Sequence, residues 1–221
     1  MKFATLVVSA FVVFVVWAGS PVSLAGDGRD VSSVNGSVTA APGETYDTLS
    51  AVNGNVRIGS RAIVDSAKTV NGEIKVESNA KVGEVKTVNG SLDIRDDVAI
   101  ARNATTVNGG IDVGSRSNVG GDVTSVNGEI EIKGAEVGGQ IITSNGDIEL
   151  TDGAHVRGGI HIKKPNDSNW GWGKEGEDPP EVHICSTCVV DGDLRFDRAV
   201  ILHVENGAKI GKVIGDKVTR R

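Results

Sequence analysis

The triplet Val-Asn-Gly recurs at residues 34–36, 52–54, 70–72, 88–90, 107–109 and 126–128, and Ser-Asn-Gly follows at 144–146, in steps of 18, 18, 18, 19, 19 and 18 residues. Seven occurrences at nearly fixed spacing mean stacked units, each burying its face against the next. After each triplet the chain alternates apolar and polar residues, as in Glu73-Ile74-Lys75-Val76-Glu77 and Glu129-Ile130-Glu131-Ile132-Lys133, which is the period of a strand with one face buried. A second apolar pair, Val82 and Val85 in one unit, precedes the next triplet. A unit of 18 residues is too short for a strand, a crossover helix and two loops. What remains is a coil of three short strands and three tight corners, stacked about 4.8 Å from its neighbours through parallel ladders. The expected fold is therefore all-β: a single-stranded parallel β-helix, or solenoid, with about 18 residues per turn.

Such a coil has a thin interior, and the composition suits it. Glycine supplies 30 of the 221 residues, the aromatics only eight, and the apolar content rests on Val, Ala and Ile. In register, Ile58, Ile74, Val76, Ile94, Ile111, Val113, Ile130, Ile132, Ile148 and Leu150 fill the core, where β-branched side chains pack with little rotamer loss. Asn35, Asn53, Asn71, Asn89, Asn108, Asn127 and Asn145 form a column. Two structural roles are open to them: a ladder of amides bonded along the stack, or a left-handed backbone at a corner.

Residues 1–25 have the parts of an export signal: Lys2, an apolar run from Phe3 to Ala18, and the small residues Ser23 and Ala25 before Gly26. The run is shorter than the ~20 residues that span a bilayer comfortably, so cleavage is the first expectation, and contact with a membrane is expected only if the segment is retained. Lys2 is its one charge, so removal takes the net charge from −6 to −7. A mildly acidic chain with neither a basic stripe nor stacking aromatics is not expected to bind nucleic acid. The solenoid then occupies 26–163, an inserted loop 164–181, and further β-helix turns with a tail 182–221. The loop carries Trp170 and Trp172 among prolines, glycines and charges. An 18-residue step relates Ile184 to Leu202 beyond it.

Few residues carry chemistry. Cys185 and Cys188 are the two cysteines, and in an exported chain they favour a local disulfide. Reduced thiols, or a metal site with His183 or His203, are the alternatives. Asp93, Asp112, Glu131 and Glu149 hold one place after successive triplets, so four carboxylates stack along an outward strand and repel; a divalent cation such as Ca²⁺, or Lys133, would relieve them. His155, His161, His183 and His203 are expected at outward strand or corner positions with no nucleophile motif beside them. Trp170 and Trp172 either stack on sugar rings or a partner surface, or fold back over the rod wall. No catalytic residue and no cofactor is expected.

In its Val-Asn-Gly repeat followed by Ile-x-Val and Val-Gly-x-Val, as in residues 70–88, the chain resembles the bactofilin-type polymer-forming β-helices and the adhesin-like β-repeat proteins of bacterial envelopes. The resemblance covers about 31–163 and, less cleanly, 182–218. It implies a right-handed, three-faced coil that assembles end to end without nucleotide, and no catalytic residues. Bactofilins are cytosolic, whereas residues 1–25 direct export, so the expected role is a non-enzymatic structural or scaffold protein of the periplasm or cell surface, with self-association or envelope components as partners. An adhesin-like or glycan-binding module built on the tryptophan loop is the alternative. Hexapeptide-repeat acyltransferases share the 18-residue coil but repeat an aliphatic residue every six positions, and β-helix lyases have longer, uneven turns.

Overall fold

Alternating apolar residues can be buried on one side only if a strand turns back over the core, and three corners per turn accomplish this. In the computed structural model, which describes residues 22–23, 29–165, 179–215 and 217–221, every strand pairs in parallel with its equivalent one turn away. The first face is an eleven-stranded sheet built from Val22–Ser23, Val38–Ala40, Val56–Ile58, Ile74–Val76, Leu92–Ile94, Ile111–Val113, Ile130–Lys133, Ile148–Thr151, Glu181–Ile184, Val200–Val204 and Val218–Arg220. Its register runs, for example, Ile74 to Leu92 to Ile111 to Ile130 to Ile148 to Val182.

The other two faces begin as one. Arg29–Asn35, Thr45–Asn53 and Ile63–Asn71 are long strands that bend around the corner between the second and third faces. Lys81–Lys86 is where they part: its first half pairs with Ala99–Ile100 and its second half with Ala104–Thr105. From there the second face continues through Asn118–Val119, Glu136–Val137, His155–Val156, Val189–Val190 and Lys209–Ile210. The third continues through Val123–Thr124, Ile141–Thr143, Ile160–Ile162, Leu194–Phe196 and Val213–Ile214. The split explains the change in period. Val82 and Val85 hold the places taken one turn later by Ile100 and Ala104, so an added residue at that corner breaks the bent strand and lengthens the repeat from 18 to 19.

The core is the one expected: the ten aliphatic residues assigned to it from Ile58 to Leu150 are all within 1% of full burial. Cys188 joins a column of small residues at the first corner with Ala62, Ala80, Ala135 and Ala154, all buried. That corner is a turn closed by an i to i+3 backbone bond, as in Ala80 N to Glu77 O and Ala154 N to Thr151 O. Left-handed backbone there falls on Arg61, Asn79, Asp97, Arg116 and Asp152.

One register expectation is corrected. Ile184 pairs with Val204 and Val182 with Leu202, a step of 20 and not 18. The coil that follows the inserted segment keeps the residue added at the second corner, with Val190 to Leu194 spanning four positions where Val82 to Val85 spans three, and its third corner, which lacks the Asn-Gly pair, takes one more, with Leu194 to Leu202 spanning eight where Ile141 to Ile148 spans seven. Most of the segment 164–181, with Trp170 and Trp172, lies outside the described residues, as does most of 1–25.

Candidate functional site: the amide corner and the acidic face

The third corner, where the triplets lie, is held by three parallel columns. Outermost are the asparagines. Each Nδ2 donates to the Oδ1 one turn earlier: Asn53 to Asn35 at 3.1 Å, Asn71 to Asn53 at 2.8 Å, Asn89 to Asn71 at 2.9 Å, Asn108 to Asn89 at 2.8 Å, Asn127 to Asn108 at 2.8 Å and Asn145 to Asn127 at 2.9 Å. None of these asparagines has a positive φ, so of the two structural roles open to them the ladder is the one adopted. At its C-terminal end the last acceptor is closed by Arg198, whose Nη1 lies 2.6 Å from Asn145 Oδ1 and 3.0 Å from the Ser144 carbonyl.

Beside the asparagines run the triplet glycines, packed backbone on backbone. A Cβ on Gly90 would sit 2.0 Å from the Gly72 carbonyl oxygen, and one on Gly146 at the same distance from that of Gly128. Only glycine permits coils to approach so closely. The third column was not anticipated: Thr69, Thr87, Thr106 and Ser125 are buried, and their hydroxyls donate to the carbonyls of Gly54, Gly72, Gly90 and Gly109 at 2.9 to 3.0 Å. The signal was present, since Thr or Ser stands two residues before Asn in each of these units. The triplet valines point the other way: Val34, Val52, Val70 and Val126 are exposed.

The first face carries the predicted carboxylates. Its outward column reads Arg57, Lys75, Asp93, Asp112, Glu131, Glu149, His183, His203, each in register with the next. Lys75 Nζ lies 3.2 Å from Asp93, and Lys133 Nζ 2.7 Å from Glu131. Asp112 has no such cation against it; desolvation among its neighbours and then the charge of Glu131 hold its pKa above the ordinary carboxylate value. Glu129, although exposed, is raised for the same reasons in the same order, with Glu149 adding to Glu131. The Glu131 carboxylate in turn holds the Lys133 ammonium up. The four carboxylates stand in single file and do not converge on a point, and among the described residues no group of three or more His, Cys, Asp or Glu side chains is arranged to hold a metal ion.

The histidines lie on outward strand positions, as expected, and each faces a carboxylate of a neighbouring turn. His155 Nε2 lies 2.7 Å from Asp191 and His161 Nε2 2.7 Å from Asp197, while His183 and His203 stand 3.3 and 3.6 Å from Glu205 and Glu181. The first two pairs are 36 residues apart in sequence but only one turn apart in space, because the inserted segment lies between them: His155 registers with Val189 and His161 with Arg195. His161, with Arg195 adding its own bond, keeps the Asp197 carboxyl below its usual range. Cys185 and Cys188 form a disulfide with Cα atoms 5.1 Å apart. It spans the first-corner turn, alongside the Cys188 N to Cys185 O bond of 3.0 Å, and so removes Cys185 from any metal site. His203 registers with His183 and not with Cys185, two residues off the 18-residue step by which the alternative metal site would have set them side by side.

These features define a class: a three-faced parallel β-solenoid held by an amide ladder. Comparison with protein-family models, curated proteins and solved structures finds no match to the chain.

Proposed function

We propose that this chain is a non-enzymatic structural or scaffold protein, exported to the bacterial cell envelope, that self-assembles by stacking coil on coil. The observation that carries the reading is the last coil. Ile210, Val213 and Val218 hold the inward positions taken one turn earlier by Val190, Leu194 and Val200, which are buried to within 1%. In the last coil the same positions are only partly covered, and Ile214 is 41% exposed. An open apolar rung bearing a row of unpaired backbone groups favours pairing with another strand-bearing surface. A second copy stacked in the same polarity would supply the next rung, and a head-to-tail contact of this kind does not close. The resemblance to bactofilin-type polymers and adhesin-like β-repeat proteins supports the assembly. Residues 1–25 and the disulfide support a periplasmic or cell-surface location.

The test is light scattering over a concentration series with negative-stain microscopy, on the wild type and on a Val213→Lys, Ile214→Lys double variant. Filaments or concentration-dependent mass in the first, lost in the second, are expected. A wild-type mass that stays monomeric at all concentrations rejects the reading. The glycan- or partner-binding alternative predicts that Trp170→Ala and Trp172→Ala abolish retention on cell-wall material with melting unchanged.

A further inference from the structure

Asn-Gly is the dipeptide in which backbone attack on the side-chain amide is least hindered, because glycine has no Cβ to obstruct it. Eight such pairs in one chain, seven along the ladder and an eighth at Asn206–Gly207, are a chemical liability, and along the ladder the coil has to manage it. The attacking group is the glycine amide nitrogen, and the solenoid ties it down. Gly36 N–H donates to Asn53 O, Gly54 to Asn71 O, Gly72 to Asn89 O, Gly90 to Asn108 O and Gly109 to Asn127 O, at 2.9 to 3.1 Å. With both ends of the asparagine amide held in the ladder, nucleophile and electrophile are each committed elsewhere.

The lattice opens at the turn carrying residues 143–146. Neither Gly128 N–H nor Gly146 N–H donates a hydrogen bond among the described residues. The parallel pairing between asparagines runs from Asn35 through Asn53, Asn71, Asn89 and Asn108 to Asn127 and no further. The hydroxyl column fails in the same place: Thr143 is 1% exposed and its Oγ1 has no partner, whereas the four before it are bonded. At this turn Arg198 takes over, with its guanidinium 2.6 Å from Asn145 Oδ1, the oxygen that would carry negative charge if the amide carbon were attacked.

We propose that Asn145–Gly146 is a site of self-catalysed covalent modification, in which Asn145 is converted to aspartate or isoaspartate through a cyclic imide with Arg198 as its electrophilic support. The Gly146 nitrogen loses its proton to solvent and bonds to Asn145 Cγ. The carbonyl electrons move to Oδ1 against the Arg198 guanidinium and return as the Cγ–Nδ2 bond breaks and ammonia leaves with a proton. Water then opens the ring at either carbonyl. The net exchange is water taken up for ammonia released, with no redox change. The product removes the donor that Asn145 offers Asn127 and adds a negative charge. In its isoaspartyl form it also lengthens the backbone by one methylene, where the regular repeat gives way to the inserted segment. Asn53, Asn71, Asn89 and Asn108, whose following glycine amides are all bonded, are held inert.

The test is peptide mapping of the full chain after prolonged incubation folded in neutral buffer, with fragmentation that separates aspartate from isoaspartate. Asn145 is expected to convert at least about tenfold faster than Asn71, since freeing a bonded glycine amide requires local opening against a net hydrogen-bond energy of this order. In strong denaturant the two rates converge. Arg198→Met is expected to slow Asn145 in the folded protein, and amide exchange at Gly146 to exceed that at Gly72. Equal retention of Asn145 and Asn71 in the folded chain overturns the proposal, and faster conversion in Arg198→Met overturns the role given to Arg198.

Discussion

Replacing Asn89 by Ala removes two hydrogen bonds at once: its own donation to Asn71 at 2.9 Å and the one it accepts from Asn108 at 2.8 Å. Both lie on an exposed edge, so each is taken at about 0.5 to 1 kcal/mol, the lower half of the range for an intramolecular hydrogen bond. The variant should lose about 1 to 2 kcal/mol. Asn35 stands at the end of the ladder and makes one such bond, at 3.1 Å, so Asn35→Ala should lose about half as much. Asn89→Asp is the sharper perturbation. It still accepts from Asn108 but sets a carboxylate oxygen against Asn71 Oδ1, and it should exceed the alanine variant. Urea unfolding followed by circular dichroism reads the series, with melting shifts of about 2 to 4 °C per kcal/mol for a chain of this size. Equal losses for Asn35→Ala and Asn89→Ala would mean that the amides are not stabilising as a ladder, and the argument from bond count would fail.

Four further outcomes follow from the geometry. Gly90→Ala would put a Cβ 2.0 Å from the Gly72 carbonyl oxygen, and separating the coils to relieve it should cost more than about 3 kcal/mol, read in the same unfolding assay. Thr87→Val leaves the Gly72 carbonyl without its hydroxyl donor in a buried corner and should cost about 1 to 3 kcal/mol. Cys185→Ser with Cys188→Ser opens a four-residue loop and should lose about 2 kcal/mol by chain entropy, with both cysteines expected to be blocked to thiol reagent in the unreduced wild type. Melting against pH should show two opposed limbs. Asp112 and Glu129 have folded pKa values above their unfolded ones, so their ionised forms cost stability at neutral pH, and that cost fades as pH falls through the raised values. Asp197 and Glu84 are lowered by His161 and by Lys68, so their contribution is full above the unfolded value and is lost as pH falls through the folded one. Stability should therefore rise on mild acidification and then fall. Asp112→Asn should flatten the rise, and an unchanged profile in that variant would refute the repulsion.

Much of this was readable without coordinates because a solenoid turns sequence spacing directly into contact. Once Asn71 and Asn89 are known to be one coil apart, so are Ile74 and Leu92, Lys75 and Asp93, and the whole outward file from Asp93 to Glu149. The strand class and the buried aliphatics follow from the two-residue alternation in the same way. Spacing is silent on direction at a corner. Whether Val70 points out and Thr69 in, or whether Asn71 bonds along the stack or bends the backbone, depends on dihedral angles that three consecutive residues share, and only the packed neighbouring coil selects among them.

The repeat by itself determined that this chain stacks as parallel coils, and which side chains lie above one another, because a nearly constant period leaves no other way to bury alternating strands too short for a crossover. The tertiary structure decided what each column does. It converted Thr into a donor to glycine carbonyls, split the bent strand at Lys81–Lys86 with one added residue, and stretched the register between Glu181–Ile184 and Val200–Val204 to 20. It also brought Arg198 to the end of the asparagine ladder across 53 residues of chain. These outcomes rest on contacts between coils whose corners differ in length, and a period that averages over those corners carries no record of them.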